Sequence, residues 1–192
     1  MNHLAIIGAS DHGKVVAEVA MAIGWSQVDY YDDDHSNKPF LGDCPVRGDF
    51  NALVAQSDKY TGFHVAVGCN RTRILLLKKL INLGLECPNI IFPSAFISPS
   101  SSFGVGNFVM ANVVVKASTV VGDGVVLNTA CTVAHDCIIG SGAQISPGAH
   151  LAGHVSVGNC AWVGIGACII QGIKIGENSI IGAGSAVIRN VP

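Results

Sequence analysis

The sequence predicts two architectures in one chain: a small α/β unit with a parallel sheet over residues 1–93, then an all-β parallel β-helix over residues 94–192. Three observations carry this. A strand, a glycine turn and a helix open the chain. Near residue 95 the composition shifts from charge-bearing, helix-length segments to a stretch dense in Gly, Val, Ile, Ala and Ser. The second half then repeats itself every six residues. The seam falls at Ile91-Phe92-Pro93-Ser94, with Pro99 soon after.

The first strand is expected over 4–7, followed by the turn Gly8-Ala9-Ser10-Asp11-His12-Gly13. A helix over 14–23 has apolar residues at helical spacing and stops at Gly24. That order points free backbone N–H groups at a phosphate. A second strand over 28–31 ends in Asp32-Asp33-Asp34, and a third over 65–67 ends in Gly68-Cys69-Asn70. A helix over 71–83 follows. This is a Rossmann-like unit, and ligands of such sheets sit at the carboxyl ends of the strands.

Two phosphate-binding fingerprints nearly match, and both fail. Gly8-x4-Gly13-Lys14 has Val15 where a P-loop needs a Ser or Thr to hold Mg²⁺. The dinucleotide pattern GxGxxG has Ser10 in place of its second glycine. ATP hydrolysis and NAD binding are therefore not expected. What remains is a turn able to hold a diphosphate and carboxylates able to accept from ribose hydroxyls or a base N–H. The alternative is a structural turn and a solvated acidic loop.

In the second half, every sixth residue from Ile97 to Val187 is large and apolar, sixteen in succession. At even odds per position that run has a chance of roughly one in 65,000. The residue four places after each is usually small or β-branched, as at Thr119, Cys131, Ala143 and Ala161. Gly104, Gly122, Gly140, Gly158 and Gly176 add a period of eighteen, so three hexads make one coil. Those glycines are expected to stack at a corner with φ > 0. The product is a three-sided parallel β-helix of about five coils, stabilised between nearest neighbours.

Composition excludes several function classes. A hydrophobic share of 49% rules out a disordered chain. A net charge of −2 without a Lys/Arg run offers no field for nucleic acid. No apolar stretch approaches ~18 residues, so no membrane insertion is expected. The opening segment lacks the basic region of a signal peptide, and a cytoplasmic location is expected. Seven cysteines, an odd number without CxxC, read as small buried residues, and no metal is expected. His150 and His154 are four apart, a spacing not expected to bring them to one metal in strand-and-turn context.

The hexads Ile139-Gly140-Ser141-Gly142-Ala143-Gln144 and Ile175-Gly176-Glu177-Asn178-Ser179-Ile180 resemble those of the hexapeptide-repeat acyltransferases. The resemblance implies a left-handed β-helix, against the usual right-handed crossover, and a homotrimer with acyl-CoA sites in clefts between subunits. GASDHG, YDDD, VAVGCN and then LNTACTVAHDC extend it over nearly the whole chain. In that order they resemble the sugar O/N-acetyltransferases of the sialic acid O-acetyltransferase type. Members include enzymes that N-acetylate UDP-4-amino-4,6-dideoxy sugars on the way to diacetyl-bacillosamine. The implied co-substrate is acetyl-CoA and the implied acceptor a nucleotide-activated amino sugar. An O-acetyltransferase of a sugar hydroxyl and a non-catalytic β-helix binding protein are the alternatives.

Acetyl transfer to an amine needs a neutral amine held near the thioester and a base near neutral pKa, for which His is the natural residue. By resemblance His135 is that base, Asp136 supports it, and Asn128 lies near the reacting groups. Without the resemblance, a lone corner histidine reads as a solvated turn residue. The eighteen-residue period puts His135, Gly153, Gln171 and Arg189 in one corner column, and Pro147, Ile165 and Ala183 in the next. The resemblance places acetyl-CoA against Gly153, Ile165 and Ala183, and against Gln144, where many members carry His. In the first unit it assigns Ser10, Asp11 and His12 to the diphosphate-sugar, Asp32 and Asp33 to uridine, and Gly68 and Asn70 nearby. Asp11 stands where Gly is common.

Overall fold

The computed structural model describes residues 2–37 and 40–192, and the chain divides between Ile90 and Ile91. In the first unit β1 (His3–Ile7), α1 (Asp11–Ala22) and β2 (Gln27–Tyr31) come first. A short antiparallel pair follows, β3 (Phe40–Leu41) and β4 (Cys44–Pro45), then α2 (Phe50–Ala55). β5 (Gly62–Val65) and α3 (Asn70–Asn82) complete it. The main sheet is parallel, in the order β2-β1-β5. Leu4, Ala5 and Ile6 are fully buried, the continuous apolar run of a strand covered on both faces. The pair β3–β4 and the helix α2 have no counterpart in the sequence-based expectation.

Two expected boundaries move. Helix α1 starts at Asp11, not at 14, because Ser10 is extended at its N-cap and its carbonyl already accepts from Lys14 N at 3.0 Å. The turn is therefore only residues 8–10, and Asp11, His12 and Gly13 form the first helical turn. Gly13 is there for packing: a Cβ would lie 2.2 Å from the Gly8 carbonyl oxygen. The third strand is Gly62–Val65, three residues earlier than expected. Its register, Leu4↔Gly62 to Ile7↔Val65, is fixed by where β1 ends, and Ala66 N closes the ladder on Ile7 O at 2.8 Å. Gly62 hides the strand in the sequence, yet only glycine fits, since a Cβ would meet the Trp25 ring at 2.4 Å.

The second unit is a parallel β-solenoid of three faces, consistent with the left-handed β-helix that the hexads imply. Sixteen two-residue strands run from Phe96–Ile97 to Ala186–Val187, each ending on one of the predicted apolar positions. They stack at intervals of eighteen, as in Thr132↔His150 and Val133↔Leu151. Val115, Leu127, Val133, Ile145 and Val163 are fully buried, with Cys131, Cys137, Ala143, Ala149, Ala161 and Ala167 beside them.

The stacked glycines act differently from expectation. Gly104, Gly122, Gly140, Gly158 and Gly176 are absent from the positive-φ positions, which fall two residues later at Gly106, Gly124 and Gly142. The stacked column is glycine because the next coil crosses it closely. A Cβ on Gly158 would lie 2.5 Å from Glu177 N and 2.6 Å from the Gly176 carbonyl carbon. At the left-handed corners the N–H instead donates to the preceding coil, as Gly142 N does to Asp123 O at 2.7 Å. Asp136 at φ 57° and His154 at φ 60° occupy such corners without being glycine; Asp and His are among the residues that tolerate this region. Among the described residues, no helix is long and apolar enough to cross a membrane.

Candidate active site

Strand Thr132–Val133 points Val133 inward, and the chain turns the corner at His135 and Asp136. The left-handed backbone of Asp136 swings its carboxylate toward the preceding ring, and His135 Nδ1 meets Asp136 Oδ2 at 2.7 Å. With Nδ1–H donating to the carboxylate, Nε2 carries the lone pair. The imidazole side chain is 55% exposed. The ring lies over the bare backbone of the next coil. A Cβ on Gly153 would come within 2.7 Å of His135 Cε1 and 2.8 Å of Nε2. Gly153 thus makes room for the imidazole, the same column that the period of eighteen had assembled.

His154 joins this corner, which the sequence reading missed. Its ring stands edge-on to His135, centroids 5.3 Å apart, and its Nε2 lies 4.0 Å from Asp136 Oδ2. The four-residue spacing to His150 was the wrong measure: His150 sits on its strand, its Nδ1 2.9 Å from Thr132 Oγ1. The signal was the eighteen-residue interval from Asp136, which puts both side chains at equivalent corners of successive coils. Asn128 stays with its neighbour, its Oδ1 accepting from Thr129 N at 2.8 Å. Gln144 is half-buried on a flat face, paired with Val126 and Trp162. Ile165 and Ala183 are exposed and stack in the adjacent column, where Gly184 N donates to Ile165 O at 2.7 Å.

In the first unit a cavity of about 260 Å³ opens at the carboxyl ends of β1, β2 and β5. Gly8, Tyr31, Asp32, Asp33, Thr72 and Lys79 line it. Asp32 is committed to the backbone: Oδ2 accepts from Ala9 N at 2.8 Å and Oδ1 from Asp34 N at 2.9 Å. Asp33 is exposed, and among the described residues its carboxylate holds no hydrogen bond. Thr72 and Lys79 were not foreseen; with Leu76 they sit at i, i+4 and i+7 on one face of α3. Lys79 Nζ lies 5.4 Å from the Phe50 ring centroid.

Ser10, Asp11, His12, Gly68 and Asn70 do not line this cavity. Ser10 is exposed, and Asp11 pairs with Lys14 at 3.1 Å. Burial first, and the Arg73 charge second, push His12 down to about 4. Arg73 is itself 1% exposed and ties the loop together. It donates to Val67 O at 3.1 Å, Gly68 O at 3.4 Å and Asn70 Oδ1 at 2.9 Å.

Residues 3–80 match the family model of the PglD N-terminal domain, and residues 118–153 match that of the bacterial transferase hexapeptide, six repeats. Among solved structures, PerB from Caulobacter crescentus in complex with CoA and GDP-perosamine is 39% identical, with a TM-score of 0.94 over 100% of this chain and 91% of that one. The acetyltransferase domain of PglB from Neisseria gonorrhoeae FA1090, in complex with acetyl coenzyme A, is 40% identical with a TM-score of 0.94, covering 100% and 94%. A variant of the Caulobacter perosamine N-acetyltransferase, with one histidine replaced by asparagine, is 38% identical with a TM-score of 0.93, covering 100% and 91%. With both parts of the chain matched in order and at this identity, the protein belongs to the hexapeptide-repeat sugar acetyltransferases that carry a PglD-type N-terminal domain.

Proposed function

We propose that this protein transfers the acetyl group of acetyl-CoA to the amine of a nucleotide-linked amino sugar. The observation that carries the reading is the corner itself: Asp136 fixes the half-exposed His135 ring at 2.7 Å and leaves Nε2 as its lone-pair nitrogen, in a chain 39% identical to PerB from Caulobacter crescentus, which is held with CoA and GDP-perosamine. His135 Nε2 takes the proton that the attacking nitrogen must lose as its bond to the thioester carbon forms. Collapse of the tetrahedral adduct then expels the CoA thiolate, which recovers a proton. Asp136 holds the tautomer and the orientation of the ring. Asn128 is assigned beside the reacting groups, and Gly153, Ile165, Ala183 and Gln144 along the pantetheine.

Asp33 is the residue of the first unit best placed to meet the nucleoside, with the Lys79 ammonium as a countercharge for phosphate. Asp32 serves by shaping the turn, and Ser10, Asp11 and His12 flank the diphosphate side. The motifs favour a UDP-4-amino-4,6-dideoxy sugar, whereas the Caulobacter relative holds a GDP sugar. We infer a homotrimer in the cytoplasm from the family pattern, and sedimentation showing a fully active monomer would remove the trimer.

The test is a panel of UDP-, GDP- and dTDP-linked 4-amino sugars with acetyl-CoA, following thiol release and the mass of the sugar nucleotide. One of them should gain a single acetyl group, and free sialic acid should not react. Acetylation of sialic acid alone, or of none of the panel, overturns the reading.

A further inference from the structure

The geometry points to a binding site for a divalent transition-metal ion at the catalytic corner, formed by His135, Asp136 and His154. We propose that Zn²⁺ bound there silences the enzyme reversibly. The three ligand atoms lie within 4.8 Å of one another, with Nδ1 of His135 2.7 Å and Nε2 of His154 4.0 Å from the same carboxylate oxygen. A tetrahedral zinc with bonds of about 2.0–2.2 Å sets its ligands roughly 3.3–3.6 Å apart. The two separations from the carboxylate must open and close by less than an ångström each, and the two imidazole nitrogens, within 4.8 Å, must draw together by up to about 1.5 Å. The side chains are 45–66% exposed, so such rotations meet little resistance.

The backbone supplies the convergence. Asp136 and His154 are both left-handed, at φ 57° and 60°, eighteen residues apart on successive coils. Their N–H groups donate to Ala117 O and His135 O, at 3.0 and 3.1 Å, so both corners are pinned. Gly153 keeps the space over which the His135 ring lies. Two imidazoles and one carboxylate suit borderline ions such as Zn²⁺, whereas Mg²⁺ and Ca²⁺ prefer oxygen ligands alone. A fourth position remains for water.

Inhibition follows from the tautomer. Metal binding at Nδ1 displaces that proton, and the neutral ring must carry it at Nε2. The nitrogen that should accept the amine proton then has no lone pair. This consequence rests on His135 being the base; the binding itself does not.

The experiment uses the purified full chain. Zn²⁺ binding is measured by calorimetry, and Co²⁺ by its visible absorption, both without substrates, since CoA thiol also binds these ions. Activity is followed by the mass of the acetylated sugar. His154→Asn is the test variant, because asparagine tolerates the left-handed corner. The wild type should bind one ion per chain at the corner and lose at least about 10-fold in kcat, an effect reversed by EDTA and absent with Mg²⁺ or Ca²⁺. His154→Asn should bind Zn²⁺ at least about 10–100-fold more weakly, since losing even the outer support of a metal ligand costs that much, and its own metal-free kcat should withstand the zinc concentration that silences the wild type. No zinc binding by the wild type, or equal affinity in the variant, overturns the site. Binding lost in the variant but without inhibition in the wild type leaves the site standing and overturns the silencing, and with it the assignment of His135 as the base.

Discussion

Both units are built on parallel strands, yet they bury different things. The α/β unit encloses Asp29, His64 and Arg73, all 3% exposed or less, and uses them to lock loops and strands. Asp29 Oδ2, for instance, meets His3 Nε2 at 3.2 Å, Tyr60 OH at 3.0 Å and Arg47 Nε at 3.2 Å. The buried polar residues of the solenoid, Ser98, Asn107, Thr119 and Ser146, carry no charge. Its core is specified by two positions in each hexad, which leaves the corners free to vary. The difference teaches where each kind of function can be placed. A corner side chain such as His135 can do chemistry without supporting the core. A residue such as Asp32 cannot bind a ligand independently of the turn it holds.

The sharpest way to break this comparison is kinetic. His135→Ala should lower kcat by about 10²–10⁴, the usual worth of a positioned base, with little change in either KM and no loss of fold. Asp136→Asn should cost less, because the base remains while its orientation weakens. Asp33→Ala should do the reverse, raising the sugar-nucleotide KM by about 10-fold, the worth of one hydrogen bond to a charged group, while sparing the acetyl-CoA KM and kcat. Asp32 is a poor choice for this test, since its loss frees Ala9 N and Asp34 N. Steady-state kinetics on both substrates decides it: if all constants move together in either variant, the division of labour is wrong.

A second test is structural. Gly158→Ala should destabilise the solenoid by roughly 1–3 kcal/mol, the cost of an overpacked site, because its Cβ meets Glu177 N at 2.5 Å and neither atom is a flexible side-chain end. The chain has one tryptophan in each unit, Trp25 and Trp162. Denaturant melts of Trp25→Phe and Trp162→Phe backgrounds therefore read the units apart. The Trp162 transition should move and the Trp25 transition should stay. A shift of both by the same amount would show that the units unfold as one.

The same contrast explains what the sequence could tell. The solenoid was legible because each coil repeats its contacts, so sixteen apolar positions announce one pattern. One misreading concerned the stacked glycines, where a close approach between coils and a positive φ leave the same residue behind. In the α/β unit the strand Gly62–Val65 was obscured by Gly62 and His64, whose reasons are Trp25 and a buried pocket far away in sequence. Nothing in the sequence marks out Arg73, whose role is set by its carbonyl partners. His135 was found through motif and period together. His154 was lost because spacing was counted along the chain, not along the coil.

The smallest effect expected is a pH dependence strongest in the first unit. Burial is the main cause that pushes His64 down to about 3 and His12 down to about 4. Both rings are therefore neutral in the fold at pH values where the unfolded chain, with histidines near 6.5, already takes up protons. The unfolded state binds more protons between these limits, so stability is full above about pH 6.5 and falls as pH drops. For His64, which is fully buried, the loss is about 1 kcal/mol between pH 6.5 and 5.5, and it continues toward pH 3. His12 is half-buried and adds less. In the solenoid interior the comparable buried groups are Cys131 and Cys137, whose thiols burial pushes up, Cys131 to about 12. They are neutral in both states at acidic pH and contribute no slope there. Melts read through Trp25 should lose midpoint steadily from pH 6.5 to 4.5, and those read through Trp162 should fall less. Equal slopes at the two tryptophans would mean that the buried histidines of the first unit do not set its acid limit.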